Sequence, residues 1–184
     1  MNISNLSFPL TVDFNGGKYW INGKGPYLCG EAATAFLAGE ISCESTGDTP
    51  QLTRELETVL KIFGSHLSPY SKEQETTDDA YQQLEQSTAT CSVSYAFLPL
   101  QSSVVLAERY TFPNLRDFLY VELGRAILHG NAPRQCRLCR GWFLHKQGDR
   151  AIYCERTAPG QTDKTCRELG ARMVFEKTLQ DEDT

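Results

Sequence analysis

Cys136, Cys139, Cys154 and Cys166 fall within 31 residues, with the spacing C-x2-C-x14-C-x11-C. Two residues between the first pair let a tight turn aim both sulfurs at one point, as tetrahedral zinc requires. Four thiolates around one divalent cation leave no coordination position for water. The predicted chemistry is therefore structural Zn2+ binding and not metal-assisted hydrolysis. A redox pair in Cys136 and Cys139 is the alternative, but a thioredoxin-like motif normally opens a βαβ unit, which is absent here. His145 is a replacement ligand if one sulfur stands aside. Cys29, Cys43 and Cys91 lack a neighbour at ligand spacing and read as small buried apolar side chains.

The elements around these cysteines must bring the two halves of the pattern together. Trp142, Phe143 and Leu144 form one apolar stretch, and Ala151, Ile152 and Tyr153 a second. Gly148 and Asp149 lie between them. This predicts a hairpin that returns the chain to the metal, with Cys154 at its end. Thr165-Cys166-Arg167-Glu168 is a capping box, so a helix is expected from about Cys166 to Leu179, with the positive end of its dipole behind the Cys166 thiolate. Gly170 permits close approach of that helix to the hairpin, which Leu169 and Met173 can face. A segment of about 45 residues has too little core to be stable alone, and zinc binding on the order of 10 kcal/mol supplies what packing lacks.

This pattern resembles a bacterial zinc finger of the form "rrC-x2-CgryF…YC…tCr..ga", found at the C-terminus of an uncharacterised domain-of-unknown-function family. It is more distantly similar to CGNR-type fingers. Arg134, Cys136, Cys139, Gly141, Phe143, Tyr153, Cys154, Thr165, Cys166, Arg167, Gly170 and Ala171 carry the resemblance. Relative to the CGNR-type pattern, the last two cysteines are farther apart and no Gly-Asn-Arg follows the last one.

Charge divides the chain in the same place. Residues 134–177 carry +5 and the remainder −10, within a net charge of −5. An acidic chain does not coat nucleic acid indiscriminately, but a local basic module can engage phosphate. Arg134, Arg137, Arg140, Lys146, Arg150, Arg167 and Arg172 are the candidate nucleic-acid-binding residues, with Trp142, Phe143 and Tyr153 interleaved for stacking. Two other readings stay open. These cations, together with Arg156 and Lys164, offset the formal −2 charge of a tetrathiolate zinc centre, or the module docks a protein and zinc is purely structural.

The rest of the chain predicts an α+β fold, with a mixed N-terminal domain over residues 1–130 and a treble-clef or ribbon-like finger over residues 131–180. Phe8, Leu10, Val12 and Phe14 alternate ahead of Asn15-Gly16-Gly17 and the stretch 18–21, which predicts a hairpin. Residues 31–37 suit a short helix. A second helix is expected to start at Thr49 and Pro50, bury Leu52, Leu56, Val59, Leu60 and Phe63, and end at Gly64. The polar, acidic stretch 71–90 reads as a loop or exposed helix. Cys91, Val93, Tyr95 and Phe97 alternate toward Pro99, as in a strand with those residues buried. Pro113 opens a last helix that buries Leu115, Phe118, Leu119, Leu123, Ala126 and Ile127 and ends at Gly130-Asn131, with His129 complementing its C-terminal dipole.

No G-x-S-x-G, H-E-x-x-H or phosphate loop occurs, and His66, His129 and His145 are dispersed, so catalysis is not expected. The sequence lacks the roughly 20 consecutive apolar residues of a membrane span, and residues 1–8 lack the features of a signal peptide. A cytoplasmic protein with no membrane association is the expectation. Its partners are DNA or RNA, or alternatively a protein. The oligomeric state is not specified.

Overall fold

A computed structural model describes residues 6–41, 49–67, 88–100, 103–145 and 151–173, with the backbone alone for residues 63–67. The chain is an α+β protein built on a five-stranded antiparallel sheet in the order β3-β2-β1-β5-β4. β1 (Leu10–Asn15) and β2 (Lys18–Ile21) are the expected hairpin, closed at the pair Asn15 and Lys18. Gly16 holds φ +58 in its turn, a left-handed conformation that glycine adopts without a Cβ clash. β3 (Lys24–Leu28) extends the sheet beyond β2, and β5 (Ser103–Phe112) pairs with β1 on its other side.

Leu10, Val12 and Phe14 line one face of β1 and are essentially inaccessible. Helices α1 (Glu31–Leu37), α2 (Thr49–Leu67) and α3 (Leu115–Leu128) contribute the rest of that core. Leu52, Leu56, Val59 and Leu60 of α2 are buried in it, as their helical spacing requires. α2 does not end at Gly64. It runs to Leu67, because one interior glycine costs a helix only about 1 kcal/mol. In α3, Phe118, Leu119, Leu123 and Ala126 are fully buried, and Phe118 meets Phe112 of β5 edge to face at 5.5 Å. Its start is capped by the Asn114 side chain, which accepts from the Asp117 N–H.

β4 (Ser92–Leu100) corrects the expected burial of its segment. Val93, Tyr95 and Phe97 are exposed, whereas Ala96 and Leu98 are buried. Val93, Tyr95 and Phe97 share the helix-packed side of the sheet with Tyr110 and Glu108, as the register requires, but lie beyond the cover of the helices, whereas Ala96 and Leu98 are buried on the other side against Trp20 and Ala107. Cys91 is half-buried against the main core and Cys29 is buried within it, while Cys43 lies outside the described residues. On the opposite face of the sheet Arg109 grips buried Asp13 with two parallel bonds of 2.6 and 2.9 Å.

The finger hairpin also differs from expectation. β7 (Trp142–His145) pairs antiparallel with β6 (Ala132–Gln135), ahead of the first cysteines, and not with residues 151–153. The Cys-x2-Cys turn thereby becomes the tip of the hairpin itself. Ala132 is buried in the main core, and Trp142 packs against it. A Cβ on Gly30, at the start of α1, would lie 2.4 Å from a Leu144 methyl, so glycine there lets β7 rest directly on the helix.

Candidate metal centre

The knuckle between β6 and β7 is a local consequence of backbone hydrogen bonding. The Cys136 N–H donates to the Gly141 carbonyl at 3.0 Å, and the Arg140 N–H returns to the Cys136 carbonyl at 2.9 Å. Arg140 takes φ +59, which closes the loop and holds Cys136 and Cys139 on one side. The Arg137 N–H then donates to Ile152 and the Cys154 N–H to the Cys136 sulfur at 3.4 Å, which ties the third ligand to the first. Cys166 lies in the first turn of a helix over residues 166–173, and the stretch expected to extend it to Leu179 lies outside the described residues. Thr165 and Glu168 make both bonds of the capping box: the Glu168 N–H to the Thr165 hydroxyl at 3.2 Å, and the Thr165 N–H to the Glu168 carboxylate at 2.7 Å.

These elements converge. The four sulfurs of Cys136, Cys139, Cys154 and Cys166 all lie within 4.8 Å of one another. Those of Cys139 and Cys154 are 3.6 Å apart, whereas a disulfide requires about 2.05 Å. Tetrahedral coordination at about 2.3 Å places sulfurs about 3.8 Å apart, so the cluster is compatible with four ligands around one ion. Cys136, Cys154 and Cys166 are buried, with Ala158 among them and Leu138, Phe143, Tyr153 and Leu169 packed outside. The small core of this module is thus made largely of sulfur. His145 is buried on β7 and is not a member of the cluster.

The electrostatics suit a cation. Burial raises the thiol pKa of Cys166, and the neighbouring cysteines raise it further. At Cys136 burial also acts upward, but N–H donation from Cys139, Cys154 and Leu138 outweighs it and draws the thiol below its ordinary range. Four adjacent sulfurs cannot all ionise without a positive charge among them. Arg156 supplies part of it. Despite the opposing effect of partial burial, its bond to Cys154 and the adjacent thiols raise its pKa, and its guanidinium donates to the Trp142 carbonyl.

Of the candidate phosphate contacts, Arg137 and Arg140 are exposed on the knuckle, Arg167 and Arg172 are exposed on the helix over residues 166–173, and Arg134 is half-buried in β6. Arg167 pairs with Glu155 at 2.5 Å. Lys146 and Arg150 lie outside the described residues. Arg156, one of the cations that the sequence places around the site, is the residue that bonds to a sulfur of the cluster.

Gly170 is where the closing helix meets the rest of the module. A Cβ there would lie 2.4 Å from the Tyr153 ring. Overpacking against a ring costs about 1–3 kcal/mol, so Gly170→Ala is expected to weaken metal binding about tenfold or more. Competition with a chromogenic chelator measures this, and an unchanged affinity would mean that the contact with Tyr153 is dispensable.

A Cys-x2-Cys knuckle, a third cysteine on the returning chain and a fourth in the first turn of a helix define a four-cysteine finger attached to an antiparallel α+β body. The chain belongs to a family of unknown function (DUF6076), which it matches over residues 71–184. That match takes in β4, β5, α3 and every cysteine of the cluster. No curated protein and no solved structure matches the chain. None of the described helices is long and apolar enough to cross a membrane.

Proposed function

We propose that the finger holds one structural Zn2+ and uses it to present a basic surface to DNA or RNA in a regulatory, non-catalytic role. A set of four thiolates favours zinc among the common divalent ions and closes its shell against substrate. The observation that carries the nucleic-acid reading is a division of labour among the cations. Arg156 contacts the thiol cluster, whereas Arg137 and Arg140 project from the knuckle and, among the described residues, form no salt bridge with an acidic side chain. Exposed arginines not engaged by carboxylates are suited to phosphate oxygens.

The test is fluorescence anisotropy with mixed-sequence DNA and RNA at two salt concentrations. Affinity is expected to fall steeply with salt, and Arg137→Ala with Arg140→Ala is expected to flatten the log-log salt slope by about 2, at about 0.9 for each phosphate that is no longer neutralised. Absence of a complex at low salt would overturn the nucleic-acid reading. It would favour the alternative, a protein-interaction or sensing module in which zinc is purely structural, for which the exposed apolar face of β4 and β5 is the supporting observation.

A further inference from the structure

β4 is an edge strand of the five-stranded sheet, and its nine residues include no charged side chain. Its outward row of Val93, Tyr95 and Phe97 is 54, 73 and 75 % exposed, and Val104 and Leu106 of β5 are 66 and 52 % exposed. The register places Phe97 opposite Leu106 and Pro99 opposite Val104, so these side chains form one continuous apolar face. β1 pairs with β5 only from Glu108 to Phe112. The β4–β5 ribbon therefore projects past β1 with its apolar face uncovered among the described residues. Natural sheets usually protect such an edge with lysines, bulges or prolines. Here Pro99, close to the tip, is the single device of that kind within β4.

We propose that this ribbon is a dimer interface, at which β4 pairs antiparallel with β4 of a second copy about a two-fold axis near Ala96. Directly opposed residues in an antiparallel pair share a face, so this register sets Tyr95 against the partner's Phe97 and extends the apolar row across a ten-stranded sheet. Charge favours a second copy over an unrelated partner. A two-fold contact brings like residues together, and in a chain of net charge −5 a neutral strand is where two copies approach without repulsion.

The area also suffices. Five side chains at these exposures form a patch on the order of 600 Å², at the top of the ~300–600 Å² that a typical monomer leaves exposed. Pairing of the strand backbones adds to it, toward the ~800 Å² that each partner contributes to a standard interface. A depression of about 160 Å³ at the root of the ribbon, lined by Phe14, Tyr95, Leu106 and Arg125, is enough for a protruding side chain. It is below the ~300 Å³ at which small-molecule pockets begin.

Sedimentation equilibrium of the whole 184-residue chain, loaded with zinc, tests this. The wild type is expected to have close to twice the 20.6 kDa of the chain at micromolar concentrations. Tyr95→Lys combined with Phe97→Lys, at two exposed positions, is expected to restore the monomer with circular dichroism and metal content unchanged. A wild type that stays monomeric, or a dimer that survives both lysines, overturns the proposal. Should the double variant fail to fold, amide exchange of the wild type decides the matter: protection of residues 92–100 must fall on dilution, and protection independent of concentration counts against the interface.

Discussion

Purified protein is expected to contain close to one equivalent of zinc, and Cys136→Ser or Cys166→Ser almost none. Metal analysis after gel filtration is the measurement. Cys136 anchors the knuckle and receives the Cys154 N–H, and Cys166 brings in the closing helix, so each serine removes one of four ligands and also separates two elements. The consequence extends beyond the ion. Among the described residues the buried apolar core of this module is three cysteines and Ala158, too little apolar area to offset the ordering of the chain, whereas zinc contributes on the order of 10 kcal/mol. A strong chelator is therefore expected to make residues 151–173 sensitive to protease while the sheet, with its own core of Leu10, Phe14, Phe112 and Phe118, remains folded. Near-stoichiometric zinc in both serine variants would remove the basis of the metal assignment.

Glu122→Ala is expected to destabilise the protein by about 3 kcal/mol or more, because each buried donor left without an acceptor costs about 1–3 kcal/mol. Glu122 is wholly buried in α3 and accepts N–H bonds from Gly30 at 2.5 Å and from Ala32 and Ala33 at 3.2 Å. α1 has no side-chain cap of its own. Its N-cap position is Gly30, at φ +101 and pressed against Leu144, where a capping side chain has no room. A residue 92 positions away in sequence does that work instead. Urea unfolding followed by tryptophan fluorescence gives the size of the effect, and a change within a few tenths of a kcal/mol would mean that the N–H groups find other acceptors.

The same carboxyl imposes a pH dependence. Burial raises its pKa to about 8, against the downward pull of the three N–H donors. Its proton is thus held more tightly in the folded chain than in the unfolded one, where Glu titrates at about 4.3. The unfolded state binds fewer protons between those two values, so this group's stabilising effect is complete below about pH 4 and declines as pH rises toward about 8. The stability difference between wild type and Glu122→Gln is expected to shrink over that window. A difference independent of pH, or one growing with pH, contradicts the assignment.

The features that were legible in the sequence are those set by local chemistry. Asn15-Gly16-Gly17 sets a turn, Thr165 and Glu168 a helix start, and the stripes of α2 and α3 a buried face, and each depends on residues a few positions apart. The cysteine spacing belongs with them, since Cys136 and Cys139 need only a turn to converge. Features that depend on distant partners were not legible. β5 lacks punctuation of its own beyond Pro99, which belongs to β4 and is tolerated there because β4 is an edge strand. β6 contains Pro133 and reads as a connection until β7 is placed beside it. Glu122 looks like one more solvent-facing acid of an amphipathic helix, and only the arrival of α1 above it makes it a cap.

β6 has four residues, and the chain passes along them from Ala132 in the main core to the first metal ligand at Cys136. At about 3.3 Å per residue this is a span of roughly 13 Å made of hydrogen-bonded strand. It behaves as a bracket and not as a tether. The tip of the knuckle therefore keeps a constant bearing to the sheet, and in a paired assembly the two tips would stand at one set separation, like the points of a caliper.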